Sequence, residues 1–160
     1  MGDKPKIHIG IGCQATVMAE TFASMMGLLI TSKADVTGYS MRQSGDIVSA
    51  RTFCVNDAIE KGATHIFFID SDMEIPHDTL DRLLAHDKEI ITVEASRRFF
   101  PTATVTTPLT ERSATEIYRA GNIGAACLLI DLSVFQKIPQ PWFSFGRNEK
   151  GMVVIGEDSW

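Results

Sequence analysis

Asp70 and Asp72, separated by Ser71, are the residues of this chain whose type and position most favour chemistry. They directly follow the apolar run HIFFI, 65–69, and such continuous hydrophobicity is typical of a central strand covered on both faces. Ligands of open parallel sheets bind beyond the carboxyl ends of the strands. Two carboxylates held about 4–6 Å apart raise each other's pKa unless a cation lies between them. Because carboxylate oxygens suit Mg²⁺ or Mn²⁺, the pattern favours a site for a metal ion and a diphosphate.

The same aspartates also have a simpler interpretation. Pro76 follows closely, and proline is common in the first turn of a helix. One aspartate would then cap that helix and the other would face solvent. The position after an all-apolar strand favours the metal site over this alternative.

A second acidic pair, Glu157 and Asp158, follows Gly156 and the apolar run 152–155. One of these carboxylates could act as a general base towards an acceptor hydroxyl. An exposed acidic turn explains the same residues equally well. Residue types and spacing leave both interpretations open.

Four arginines could complement the acids: Arg42, Arg51, Arg97 and Arg98. A guanidinium stabilises the negative charge of a diphosphate leaving group well. Arg97 and Arg98 come after the predicted strand 89–93, so at least one can face the same crevice. Arg51 lies within a predicted helix on a mostly apolar face, which favours a buried acidic partner. An ordinary solvated position is the alternative for each of them.

The elements that position these residues alternate along the chain. Apolar runs predict strands and amphipathic runs predict helices. Asp46 is the expected N-cap of the second helix, and Gly62 is expected to end it. The order β-α-β-α-β-α indicates a single α/β domain over 1–160, with a mostly parallel sheet and helices on both faces. Strands are expected at 6–12, 36–41, 65–69, 89–93, 126–130 and 152–155, and helices at 16–31, 47–61, from Pro76, and at 133–138.

Two stretches carry less certain patterns. In the first helix, Met18, Phe22, Met25 and Leu29 recur at helical spacing, which predicts an amphipathic helix. Its methionines lie in or beside one face, and we expect them to fill the core rather than form an adaptable binding surface. Between 96 and 120 the periodicity breaks down, which predicts short antiparallel strands or an excursion over the surface.

Composition excludes several classes of protein. The 160 residues include 15 basic and 20 acidic side chains, a formal charge of −5, which argues against binding to nucleic acid or an anionic membrane. No apolar run approaches 18 residues, so no transmembrane segment is expected. Cys13, Cys54 and Cys127 are odd in number and widely spaced, which favours reduced core thiols and a cytoplasmic location.

The run ARTFCVNDAIEKGATHIFFIDSDMEIPHDTLDRLLAHDKEIITVEASRR resembles the nucleotide-sugar-binding half of GT-A glycosyltransferases, most of all compact family 2 types of bacteria and their phages. The later run GAACLLIDLSVFQKIPQPWF and the following GED also resemble that family. The resemblance covers about 45 to 158. It implies a GT-A, Rossmann-like domain that transfers a sugar from a nucleotide diphosphate sugar to an acceptor hydroxyl.

The resemblance also implies roles for individual residues. Asp70 would lie near the ribose and the metal, and Asp72 would ligate Mn²⁺ or Mg²⁺ at the diphosphate. Asp158, or Glu157 in second place, would be the base of an inverting displacement. Other nucleotide-sugar contacts would come from Ser71, Arg51, Arg97, Arg98 and Gly124. The donor would be a UDP-sugar, and the acceptor a glycan, a lipid-linked group or a protein.

One departure from the family affects these expectations. In the family a helix usually follows the acidic motif, often with a later histidine, whereas this sequence stops at Trp160. We therefore expect a domain without its C-terminal helical part, whose exposed apolar surface favours a homo-oligomer. A non-catalytic nucleotide-sugar-binding or assembly module is one alternative. A nucleotidyl or phosphoryl transferase is another alternative. That class of enzyme would need a third acidic residue at the end of an earlier strand, and 7–14 contain none.

Overall fold

The computed structural model of the chain describes residues 4–13, 15–95, 106–111, 116–147, 149 and 153–155. Strands and helices alternate through the first half, as the hydrophobic periodicity predicts. The elements are β1 (Lys6–Cys13), α1 (Ala19–Thr31), β2 (Asp35–Gln43), α2 (Ile47–Glu60), β3 (His65–Ile69), α3 (Thr79–Ala85), β4 (Ile90–Thr92), β5 (Thr107–Pro108), β6 (Ala120–Asn122), β7 (Cys127–Asp131), α4 (Val134–Lys137), β8 (Gly146–Arg147) and β9 (Val153–Ile155).

The main sheet has five strands in the order β2-β1-β3-β7-β4. β1 lies parallel to both β2 and β3. β7 is inserted antiparallel between β3 and β4, so β4 runs in the same direction as β3. The expectation of an α/β fold with a mostly parallel sheet is confirmed. The carboxyl ends of β1, β2, β3 and β4 therefore share one edge of the sheet, and β7 begins at that edge.

The sheet separates two hydrophobic cores. On one face, α1 and α3 pack against Phe67 and Ile69 of β3. On the other face, α2 and α4 pack against Ile66 and Phe68. Alternate side chains of a strand point to opposite faces, so a strand covered on both sides must be apolar throughout. This explains the unbroken run HIFFI and leaves the strand end as the first place where polar side chains are tolerated.

The two ends of α2 have the N-cap and the glycine that the sequence predicts. The Asp46 carboxylate accepts hydrogen bonds from the backbone N–H groups of Val48 and Ser49, which satisfies donors of the first turn. Gly62 follows the helix with φ +69°, a left-handed conformation that glycine adopts without steric cost.

The prediction that Pro76 opens the third helix is wrong by three residues. The N–H of Thr79 donates to the carbonyl of Pro76, forming a turn, and α3 begins at Thr79. Proline fixes φ at a value that turns and helices share, so the sequence signal does not separate the two.

The prediction for the first helix needs a larger correction. Of the four residues of the predicted apolar stripe, Met25 is buried, whereas Met18, Phe22 and Leu29 are exposed; core filling is therefore wrong for Met18. The buried face of α1 consists of Thr21, Ser24, Met25 and Leu28. Helical spacing identified an apolar stripe correctly, but the helix turns most of that stripe to solvent.

The later part of the chain forms short antiparallel pairs. β5 pairs with β6, in the stretch where broken periodicity predicted such strands, and β8 pairs with β9. Among the residues that the structure describes, no helix is long and apolar enough to cross a membrane.

A buried polar cluster joins β1, β2 and α2. His8 is fully buried, and its Nε2 lies 2.5 Å from Ser40 Oγ and 3.2 Å from Asp57 Oδ2. Ser40 donates its own proton to Asp57, so His8 Nε2 carries a hydrogen and donates to Ser40. Lys61 Nζ also donates to Asp57 Oδ2, at 2.7 Å. Burial lowers the pKa of His8, although the negative charge of Asp57 opposes this effect.

This cluster predicts a loss of stability on acidification. Because the pKa of His8 is lowered in the folded chain, the unfolded chain binds more protons as the pH falls below about 6.5, and folding weakens. His65, whose pKa burial also lowers, adds to the loss. We expect the free energy of unfolding, measured by urea denaturation, to fall between pH 7.5 and 5.5, by at most about 1.4 kcal/mol per pH unit for each proton.

The substitution His8→Gln keeps a donor for Ser40 and removes the titrating group. It should reduce this pH dependence, whatever its effect on stability at pH 7.5. His86→Gln, at an exposed position, is the matched control and should leave the slope unchanged. An unchanged slope in His8→Gln would contradict the assignment.

Candidate active site

Asp70 and Asp72 lie in one tight turn beyond the end of β3. The N–H of Met73 donates to the carbonyl of Asp70 at 3.2 Å, which closes a four-residue turn. The side chain of Asp70 is 35% exposed, and Asp72 is exposed. Both carboxylates are therefore accessible from the carboxyl edge of the sheet, where sequence analysis expected them.

Neighbouring segments hold this turn from two sides. The N–H of Met18, at the start of α1, donates to the carbonyl of Ser71 at 2.8 Å. The N–H of Asp70 donates to the carbonyl of Ala126, just before β7, at 2.9 Å. These backbone bonds fix the position of the turn without using either carboxylate.

The helix-cap interpretation of the aspartates is wrong. α3 begins at Thr79 with Asp78 at the N-cap position, and no side chain caps it there. Neither Asp70 nor Asp72 is near enough in sequence to cap that first turn.

Arg51 reaches the turn from the other layer of the fold. It lies in the second turn of α2, is 3% exposed, and places Nη2 3.3 Å from Asp70 Oδ1. Arg51 has an acidic partner, as expected, but this partner is only partly buried. Desolvating a guanidinium costs several kcal/mol unless acceptors compensate, so this arginine favours an ionised Asp70.

The two carboxylates consequently differ in environment. The side chain of Asp70 is 35% exposed and pairs with Arg51, and Asp72 is the more exposed of the two. Within the described ranges, no three His, Cys, Asp or Glu side chains are grouped to hold a metal ion. Two carboxylates in one turn fit a hard divalent cation that takes its remaining ligands from phosphate oxygens and water.

Gly124 lies at the same edge of the sheet, beside the end of β4. Thr92 Oγ1 lies 3.0 Å from the carbonyl oxygen of Gly124 and 2.9 Å from that of Cys127, so the two carbonyls share its single proton. Thr92 thus links β4 to the segment that supports Asp70. This residue was not predictable from the sequence, since a threonine at a strand end gives no distinctive signal.

The other candidates are less closely tied to the turn. Arg97, Arg98, Glu157 and Asp158 lie outside the described residues. Arg42 is described, and its guanidinium lies 5.1 Å from the ring centroid of Phe53, a cation–π contact between β2 and α2.

The cysteines take no part in this chemistry. Cys13, Cys54 and Cys127 are buried free thiols, as sequence analysis expected. Burial raises the pKa of Cys54 to about 11, and burial together with the charge of Asp70 raises that of Cys127 to about 12. Both thiols are therefore protonated at neutral pH and are poor nucleophiles.

A cleft of about 730 Å³ runs beside β4 and was not predicted from the sequence. Its walls come from 88–94 and from the excursion 106–123, with Lys88, Glu94 and Arg119 among the charged side chains. The volume lies in the usual range for small-molecule sites. The lack of periodicity in the excursion gave no indication of such a cleft.

Comparison with known proteins supports the fold only. No family model matches the sequence, and no curated protein matches it. Among solved structures, A197 from STIV, a viral protein, is similar with a TM-score of 0.63 and 15% sequence identity. The match covers 96% of this chain and 74% of A197. At this identity the likeness shows a shared fold and assigns no activity.

The Arg51–Asp70 pair predicts measurable coupling. Asp70→Asn removes the charge that faces a buried guanidinium, and Arg51→Met removes the guanidinium itself. A double-mutant cycle in urea should give a coupling free energy of about 1 kcal/mol or more. The matched control pairs Arg51→Met with Glu74→Gln, an exposed acid of the same loop, and should couple by less than about 0.5 kcal/mol. Equal coupling in the two cycles would count against the ion pair.

Proposed function

We propose that this chain is a metal-dependent glycosyltransferase that uses a nucleotide diphosphate sugar, a UDP-sugar above all, as donor. The observation that carries the proposal is the turn of Asp70 and Asp72 beyond a doubly covered strand, with Asp70 held by the buried Arg51. The resemblance of the run 50–98 to GT-A glycosyltransferases supplies the reaction class. The α/β fold with its mostly parallel sheet is compatible with that class.

The environments of the two aspartates suggest different roles. Asp72, exposed at the open side of the turn, would ligate Mn²⁺ or Mg²⁺. That ion would bind the diphosphate and stabilise it as a leaving group. Asp70, whose charge is balanced in part by Arg51, would accept a hydrogen bond from the ribose and support the metal site. Ser71, which lies within the turn, and Gly124, two residues before the Ala126 that anchors it, would line the donor pocket.

The remaining steps depend on residues outside the described ranges. Asp158, or Glu157 in second place, would take the proton of the acceptor hydroxyl while its oxygen attacks the anomeric carbon of the sugar. The bond from that carbon to the diphosphate oxygen breaks, and the nucleoside diphosphate leaves. Arg97 and Arg98 would offset the charge that develops on it. A glycan, a lipid-linked group or a protein could provide the hydroxyl.

Metal-dependent binding of UDP is the first test of this function. Calorimetric titration of UDP with Mn²⁺ present should give micromolar affinity, and EDTA should abolish it. Asp72→Ala should weaken binding by at least about tenfold, or about 1.4 kcal/mol. Glu74→Ala, two residues along the same loop, should bind like the unaltered chain. Equal affinity with Mn²⁺ and with EDTA, or no binding by a folded chain, would overturn the metal–diphosphate site.

The assignment of the base has a separate test. Release of UDP from a panel of UDP-sugars should fall by about 10²- to 10⁴-fold in Asp158→Asn, while the affinity for UDP is retained. Glu157→Gln is the matched control and should lose less. A chain that binds UDP but turns over none of the donors would indicate the alternative of a nucleotide-sugar-binding or assembly module.

A further inference from the structure

The outward face of α1 is apolar along its whole length. We define this face by six exposed residues: Ala19, Phe22, Ala23, Met26, Leu29 and Ile30. The larger side chains are 57% (Phe22), 40% (Met26), 43% (Leu29) and 78% (Ile30) exposed. By contrast, two of the four residues on the buried face, Thr21 and Ser24, carry hydroxyls.

An outward face of this kind is unusual for a surface helix. Such a helix buries an apolar stripe and presents polar residues to water, and a helix that is apolar all round is normally covered. Single exposed apolar residues are common, but contiguous patches mark interaction sites. Hydrophobic burial therefore favours a partner on the outward face of α1.

Two side chains of β2 enlarge the apolar surface on the same side of the sheet. Tyr39 is paired in register with Ile9, and Met41 with Ile11. Since Ile9 and Ile11 belong to the core beneath α1 and α3, Tyr39 and Met41 point to that side as well. They are 64% and 47% exposed.

We propose that the outward face of α1 docks against the same face of a second copy of this chain, with the two helices antiparallel. The face is symmetric about Met26, because Phe22 and Ile30 lie four residues to either side. A two-fold axis passing near Met26 brings each Phe22 opposite the partner helix's last turn. Such a self-complementary arrangement is the usual geometry of a homodimer.

The charged residues near the ends of α1 support a second copy of the chain as the partner and an antiparallel arrangement of the two helices. Glu20 lies in the first turn of α1, and the exposed Lys33 lies just after the last turn. Antiparallel helices therefore place the Glu20 of one copy near the Lys33 of the other, whereas parallel helices place like charges together. An anionic lipid surface fits poorly, because α1 contains no Lys or Arg and the chain carries a formal charge of −5. A helix of 13 residues is only about 20 Å long, so we expect a reversible dimer to which Tyr39 and Met41 contribute area.

Sedimentation velocity over a concentration series tests the dimer. The unaltered chain should change from monomer to dimer as its concentration rises. Met26→Glu places a charge at the symmetry axis and should raise the dissociation constant at least tenfold. Ile59→Glu is the matched control: it adds the same charge at a position of similar exposure, 45%, on α2 across the sheet, and should leave dimerisation unchanged. Circular dichroism confirms that each variant is folded.

Cross-linking tests the antiparallel geometry. Met26→Cys should form an intermolecular disulfide under mild copper–phenanthroline oxidation, because residue 26 faces its own copy across the axis. The native thiols are buried and should not react. Ile59→Cys should form no intermolecular disulfide under the same conditions, although it dimerises like the unaltered chain. Disulfide formation at 59 as readily as at 26 would indicate random collision and overturn the proposed interface.

Two other outcomes would also overturn the proposal. One is an unaltered chain that stays monomeric at the highest concentration reached, or a dimer that Met26→Glu does not weaken. The other is binding of the monomer to phosphatidylcholine vesicles that Met26→Glu abolishes, which would assign the outward face to a lipid surface. None of these measurements depends on nucleotide binding, so their result is independent of the proposed glycosyltransferase activity.

Discussion

The ion pair of Arg51 and Asp70 connects the two layers of this fold at the edge where its site lies. A guanidinium that is 3% exposed is tolerable only with acceptors around it, and Asp70 is one of them. The pair fixes α2 against the end of β3. It also favours the ionised form of Asp70, so one of the two carboxylates at the turn is kept charged and oriented before any ligand arrives.

The location of the site follows from how β3 is buried. A strand covered by α1 and α3 on one face and by α2 and α4 on the other cannot carry polar side chains until it leaves the sheet. The polar groups therefore collect in the turn directly after Ile69. The antiparallel insertion of β7 completes the edge, because the segment just before β7 contains Gly124 and supplies the carbonyl of Ala126 that anchors Asp70.

The sequence was informative where hydrophobic periodicity coincides with a local signal. β3 is found with its predicted bounds, and α2 has its cap at Asp46 and its left-handed glycine at 62. The pairing of Arg51 with an acid was also predictable, since a charged residue on a buried helical face needs a partner. The antiparallel direction of β7, the role of Thr92 and the cleft beside β4 were not predictable, because they depend on contacts between residues more than 30 positions apart.

The error at α1 has a physical cause that bears on function. Helical spacing shows that an apolar stripe exists, but it does not show which side of the helix the sheet will cover. Here Thr21 and Ser24 are on the buried side. The N–H of Met18 donates to the carbonyl of Ser71, and the hydroxyl of Ser24 accepts from the N–H of Ile75. Both bonds hold the segment that follows β3. The helix is thus positioned by polar contacts to the site loop as well as by the burial of Met25 and Leu28, and its other large apolar side chains are left outside. The start of α1 holds the loop that carries Asp70 and Asp72. A partner that covers the outer face would immobilise this helix. Association through α1 and order at the site would therefore reinforce each other.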